Sequence, residues 1–127
     1  MKNENFGFED LWKKVREIKN EIRMLVKSFP PDEKYKLTDQ ITRSVRSINA
    51  LLSEGHGRFT YPDQLHFCVQ ARGSSLAETV NHLYDALDEE YISQDVFNQL
   101  KNKAKEIERM LNGYIIFLRK KRDETNS

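Results

Sequence analysis

The sequence predicts an all-α protein, a single antiparallel up-down-up-down four-helix bundle over residues 1–127 with frayed ends at about 1–6 and 121–127. Three observations lead there. Apolar residues recur at steps of three and four in four separate stretches, the spacing of one face of an α-helix. Only five Gly and three Pro interrupt the chain, most of them bunched in two places, which suits long helices better than many short strands. The connections at about 30–37, 55–60 and 88–93 are short, so consecutive helices lie side by side. A length of 127 residues matches one domain, and 38% hydrophobic against 32% charged residues leaves enough apolar surface for one core.

The first helix is expected at about 8–29, with Phe8, Leu11, Val15, Ile18, Ile22, Leu25, Val26 and Phe29 on one face and a stop at Pro30-Pro31. The second, at about 37–54, carries Leu37, Ile41, Val45, Ile48 and Leu52, and Gly55-His56-Gly57 reads as the turn that ends it. Thr60 is placed to cap the third, at about 61–88, with Pro62 in its first turn and Asp63 near the positive end of the helix dipole. Its seam, Leu65, Val69, Leu76, Val80, Leu83 and Leu87, has a gap at Arg72-Gly73, where Gly73, Ser74 and Ser75 would let another helix approach closely. Ser93 caps the fourth, at about 93–120, whose seam is Leu100, Ala104, Ile107, Leu111, Tyr114 and Leu118. The buried set expected from these seams includes Val15, Ile22, Ile41, Ile48, Val69, Leu76, Leu83, Ile107 and Leu111.

No run of about 18 uncharged apolar residues exists and Met1-Lys2-Asn3-Glu4-Asn5 lacks the apolar core of a signal peptide, so a cytoplasmic protein with no membrane partner is expected. The single Cys68 has no partner for a disulfide or a CxxC zinc site and reads as a buried structural thiol. The formal charge of +1 means that binding to nucleic acid would rest on local patches.

Motifs along the chain resemble those of the bacterial 23S rRNA-intervening-sequence proteins, also called four helix bundle proteins. The residues are Phe29-Pro30 with Glu33, Leu37-Thr38 with Gln40-Ile41 and Arg43, Ser47-Ile48, and Glu54-Gly55-His56-Gly57-Arg58. They stand in the order and spacing of that family's FP-x-x-E, L-T-x-Q-I-x-R and E-G-x-G-R. Ser75-Leu76-Ala77-Glu78, Tyr91-Ile92-Ser93 and Arg109-Met110-Leu111-Asn112-Gly113 are similar to its third and fourth helices. Leu51 departs from a frequent Asn, and Ser74 from a usual Gly, with Gly73 beside it. The resemblance implies a bundle that self-associates as a homopentamer. It implies no demonstrated catalytic role. A related branch, the accessory variability determinants of diversity-generating retroelements, implies RNA and a reverse transcriptase as partners.

An enzyme is not expected. His56, His66 and His82 have no local nucleophile to activate. Glu78, His82 and Asp85 could offer metal ligands, but the Glu78-x-x-x-His82 spacing is wrong for a di-iron bundle, and no metal or cofactor is expected. The polar residues shared with the family, Gln40, Arg43, Glu54, Gly55, Gly57, Arg58 and Glu78, read as structural, with Glu54 and Arg58 fixing a helix–helix corner. Trp12, Tyr61, Tyr84 and Tyr91 read as core or interface aromatics.

At 100° per residue, Lys13, Arg16, Arg23 and Lys27 gather on one stripe of the first helix with Lys19 beside it, while Glu17 and Glu21 lie elsewhere. Arg119, Lys120, Lys121 and Arg122 close the fourth helix. These two sets are the candidate nucleic-acid contacts, because a modest stripe repeated around an oligomer becomes a continuous cationic surface. The alternative is a protein-interaction scaffold with no nucleic-acid role.

Overall fold

The structure, a computed structural model, describes residues 7–126. It is all-helical, with no strand among the described residues. The elements are α1 (Phe8–Leu25), α2 (Leu37–His56), α3 (Tyr61–Gln70), α4 (Ala77–Asp88) and α5 (Gln94–Asn126), and a π-helical turn (Ala71–Leu76) joins α3 to α4 without a break. Counting α3 and α4 as one rod, four rods enclose a core in which Val15, Ile22, Ile41, Ile48, Leu83 and Leu111 are fully buried.

Pairs along the rods fix their neighbours. Against α1, Phe8 lies 5.8 Å from Tyr114, Lys14 pairs with Glu106 at 3.3 Å, and Lys103 pairs with both Glu17 and Glu21. Trp12 of α1 donates its indole N–H to Ser53 Oγ at 3.1 Å, and Asn49 donates to the Trp12 carbonyl at 3.1 Å. Between α2 and the third rod, Ser44 and Thr79 hydroxyls are 2.9 Å apart and Ser47 bonds Ser75. Arg72 donates to Asn112 of α5 at 2.8 Å.

The element boundaries differ from the sequence reading at four places. α1 ends at Leu25 and tightens into a 3₁₀ turn over Val26–Ser28, because Pro30 drives Phe29 into extended backbone (φ −70°, ψ 153°). α2 runs through Gly55 to His56, and Gly57 has φ −82°, so Gly55-His56-Gly57 is not a turn that needs glycine's left-handed freedom. Gly55 is needed for space instead: a Cβ there would stand 2.7 Å from Phe67 Cβ, so α2 and α3 touch backbone to side chain.

In the third rod the π turn occupies the gap in the seam. It adds a residue to one turn and shifts the inward phase. Val69, expected in the core, is consequently half-buried, and Cys68, Ala71, Ser75 and Thr79 are the buried residues. Gly73 and Ser74 face outward, with nothing within 4 Å of a Cβ built on Gly73, so no helix approaches there. Finally, α5 is helical to Asn126, past the expected end at about 120, with the Lys121–Glu124 and Arg122–Asp123 pairs along its last turns. Residues 1–6 and 127 lie outside the described residues.

Both expected N-caps form. Thr60 Oγ1 accepts the Asp63 N–H at 3.3 Å and Ser93 Oγ accepts the Val96 N–H at 3.1 Å. The rod before Ser93 ends in a Schellman arrangement: Tyr91 N–H reaches Ala86 O and Glu90 N–H reaches Leu87 O, both at 2.9 Å, with Glu90 left-handed at φ 62°.

Candidate nucleic-acid interface

Helix α1 separates its charges to its two flanks. Glu17 and Glu21 turn toward α5, where Lys103 bridges them, and Lys14 on the same flank pairs with Glu106. The hydrogen bond that Lys103 donates to the Glu21 carboxylate holds its ammonium above the ordinary pKa, so this flank stays ion-paired at neutral pH. On the α2 flank, Arg16, Lys19, Arg23 and Lys27 have no hydrogen bond or ion pair among the described residues. Lys13 alone of the predicted stripe has one, a 3.8 Å contact with Glu9 one turn away. An exposed pair of that kind is worth under ~1 kcal/mol and leaves the ammonium available.

α2 adds a cation that the sequence reading missed. Arg46 stands across from α1, and with Lys19 and Arg23 it lines a cleft of about 180 Å3 whose other walls are Asn20, Ile22, Thr42 and Val45. No carboxylate lines this cleft. Thr42 and Arg46 are one helical turn apart on the flank of the Ile41–Val45–Ile48 seam, so projecting α2 on a wheel beside α1 would have flagged them; nothing in local sequence does.

The second cationic set lies elsewhere. Phe8 meets Tyr114 at one end of the bundle, and Leu25 lines a groove with Leu100 toward the other. Arg119–Arg122 therefore sit past the Phe8 end, while Arg23 and Lys27 are at the Leu25 end, at least ~20 Å away at 1.5 Å rise per residue. Arg122 is paired with Asp123 at 3.0 Å and Lys121 with Glu124 at 3.6 Å; Arg119 and Lys120 are exposed. The structure does not bring Arg23 and Lys27 into one patch with Arg119–Arg122.

The polar residues expected to act structurally divide into two groups. Glu54 and Arg58 form a 3.1 Å ion pair at the α2–α3 corner, where the Arg58 guanidinium also lies 4.9 Å from the Phe67 ring centre and its carbonyl accepts from Gln64 at 2.8 Å. Gly55 belongs to the same corner through Phe67, whereas Gly57 has no Cβ neighbour closer than 3.7 Å. Gln40, Arg43 and Glu78 instead line an open groove of about 520 Å3 between α2 and α4, with Ser44, Ser47 and His82. Arg43 pairs only with Asp39 of its own helix at 3.3 Å, and the side chains of Gln40 and Glu78 bond nothing among the described residues. They fix no corner.

The groups weighed for catalysis are dispersed. The His56 ring stacks on Phe8 at 3.9 Å with Tyr114 Oη 3.5 Å from Nδ1, His66 meets Phe67 edge-on, and His82 lies 3.9 Å from Asp85. No group of three or more His, Cys, Asp or Glu among the described residues is placed to hold a metal ion. Burial pushes the Cys68 thiol up to about 12, the behaviour of a packed, unreactive sulfur. Tyr61 and Tyr91 are half-buried against the core, Trp12 is half-buried with its indole on Ser53, and Tyr84 is exposed with Lys101 over its ring. No helix among the described residues is long and apolar enough to cross a membrane.

Comparison with known proteins covers most of the chain. Residues 9–113 match the family model described as 23S rRNA-intervening sequence protein. Among solved structures, the chain is similar to a protein of unknown function from the S23 ribosomal protein family of Bacteroides thetaiotaomicron. That crystal structure is 24% identical in sequence with a TM-score of 0.79, over 87% of this chain and 98% of that one. At that identity the likeness is one of fold. No curated protein is a significant match.

Proposed function

The chain belongs to the 23S rRNA-intervening sequence protein family, and we propose that it is a non-enzymatic bundle protein that self-associates and holds structured RNA by its phosphates. The observation that carries this reading is the charge separation across α1. Glu17 and Glu21 are drawn to the α5 flank by Lys103, Glu9 sits against Lys13, and Arg16, Lys19, Arg23 and Arg46 on the α2 flank are left without internal partners among the described residues. Such a surface neutralises phosphates and releases counterions without reading base sequence.

The proposal includes a homopentamer and a reverse transcriptase–RNA complex as partner, both carried over from the resemblance of the motifs. It includes a cytoplasmic location, supported by the lone thiol of Cys68. It also includes up-down-up-down helix order, supported by pairs such as Phe8–Tyr114 and Lys14–Glu106, or Ser47–Ser75 and Ser44–Thr79, whose numbers rise on one rod as they fall on the other.

A scaffold without a nucleic-acid role is the second reading, favoured by the exposed apolar side chains of Phe59 and Ile116. Binding of a structured RNA by wild type and by the Arg16→Glu/Arg23→Glu variant, at two salt concentrations, separates the two.

A further inference from the structure

We propose that the cleft between α1 and α2 is a site for a single phosphate group, held from both helices at once. Lys19 and Arg23 reach it from successive turns of α1 and Arg46 from α2, while Asn20 and Thr42 supply neutral donors between them and Ile22 and Val45 close its back. The three cations have no ion pair or hydrogen bond among the described residues, whereas Lys13, Lys14 and Lys103 of the neighbouring surface each sit against a glutamate. Three converging positive charges with no carboxylate suit an anion that carries several acceptor oxygens and up to two charges. A carboxylate ligand would leave most of that charge uncompensated. The two guanidinium forks match phosphate oxygens pairwise, and the Thr42 hydroxyl and Asn20 amide complete a donor set for a tetrahedral anion.

Size and surroundings narrow the ligand further. The cleft, about 180 Å3, is on the scale of a phosphate with a few waters at ~30 Å3 each. No aromatic ring lines it, so there is no platform on which a base could stack. Of the aromatic side chains of α1 that meet α2, Trp12 is half-buried with its indole N–H committed to Ser53, and Phe8 is stacked on His56. The site therefore grips the phosphate and leaves the rest of the ligand outside. An RNA phosphodiester and a free phosphate present the same oxygens; taking RNA as the source rests on the function proposed above.

The test is titration of the isotopically labelled full chain with inorganic phosphate at constant ionic strength, followed residue by residue by NMR. The amides of Lys19, Asn20, Arg23, Thr42 and Arg46 are expected to shift together and to saturate. Arg46→Gln should weaken the dissociation constant at least tenfold, and Thr42→Val, which keeps shape and charge, severalfold. An unlabelled RNA hairpin added to the phosphate-saturated protein should displace the phosphate from these same residues. Diffuse shifts, saturation elsewhere, or an unchanged constant in both variants would overturn the site even if RNA bound the protein. Saturation at these residues with no displacement by RNA would uphold the site as one for free phosphate and count against the RNA reading instead.

Discussion

Glu33 and Tyr91, 58 residues apart, join the two loops at one end of the bundle: Tyr91 donates its phenol O–H to Glu33 Oε2 at 2.7 Å. The other carboxylate oxygen accepts the Leu37 N–H at 3.2 Å, in the first turn of α2, and the Tyr91 ring packs 5.4 Å from Phe29. One side chain of the α1–α2 connection thus fixes the start of α2 and the segment between α4 and α5. The Tyr91 hydrogen bond, then the Leu37 N–H, hold the Glu33 carboxyl below its ordinary pKa, and the carboxylate raises the Tyr91 phenol to about 12.

Tyr91→Phe should lower the melting temperature at neutral pH and flatten its dependence on acid. The folded carboxylate titrates below the ordinary carboxylate range, so its contribution is fully present above that range and is lost as pH falls through the lowered folded value. Melting curves of both proteins from neutral pH to about pH 3 check this; parallel curves would remove Glu33–Tyr91 from the stability account.

Gly55 and Gly57 sit in one motif but should respond oppositely to alanine. Gly55→Ala places Cβ 2.7 Å from Phe67 Cβ, an atom too close to the backbone to swing aside, and should cost about 1–3 kcal/mol through overpacking. Gly57→Ala has no neighbour closer than 3.7 Å and a negative φ, so denaturant unfolding should show it within about 0.5 kcal/mol of wild type or slightly stabilised.

The four rods were legible in the sequence because their seams are long runs of Leu, Ile and Val at helical spacing. The third was legible in part: Leu65, Leu76 and Leu83 of its seam are buried, but the inward Ser75 of the π turn and Thr79 beyond it are polar and bond Ser47 and Ser44, so the apolar pattern selected the half-buried Val69 and Val80 instead. The gap at Arg72-Gly73 was the visible trace of that insertion. The cationic stripe of α1 was legible from a single helical wheel. Arg46 was not, since its place opposite Lys19 and Arg23 depends on how α2 packs against α1.

Core truncations should follow the observed phase of the third rod. Ile48→Ala and Leu111→Ala, both at fully buried positions, should each cost about 2–5 kcal/mol. Val69→Ala, at a half-buried one, should cost clearly less in the same assay. Equal losses at all three positions would restore the uninterrupted seam.

Glu90 occupies a left-handed conformation at φ 62° that glycine adopts without steric cost. Glu90→Gly should therefore stabilise the protein by about 1 kcal/mol in chemical denaturation, the lower end of the left-handed penalty for an L-residue. A loss of stability would mean that the Glu90 side chain contributes more than its backbone strain removes.

Binding of a structured RNA, measured for wild type and the Arg16→Glu/Arg23→Glu variant at 50 and 200 mM salt, tests the charge separation on α1 most directly. Both substitutions replace exposed side chains and leave the Lys103–Glu17–Glu21 flank intact, so melting curves should stay close to wild type. Wild-type affinity should fall steeply between the two salt concentrations, and the double variant should bind at least tenfold more weakly at the lower one with a shallower salt slope. Salt-insensitive binding by the wild type, or equal binding by the variant, would contradict the account.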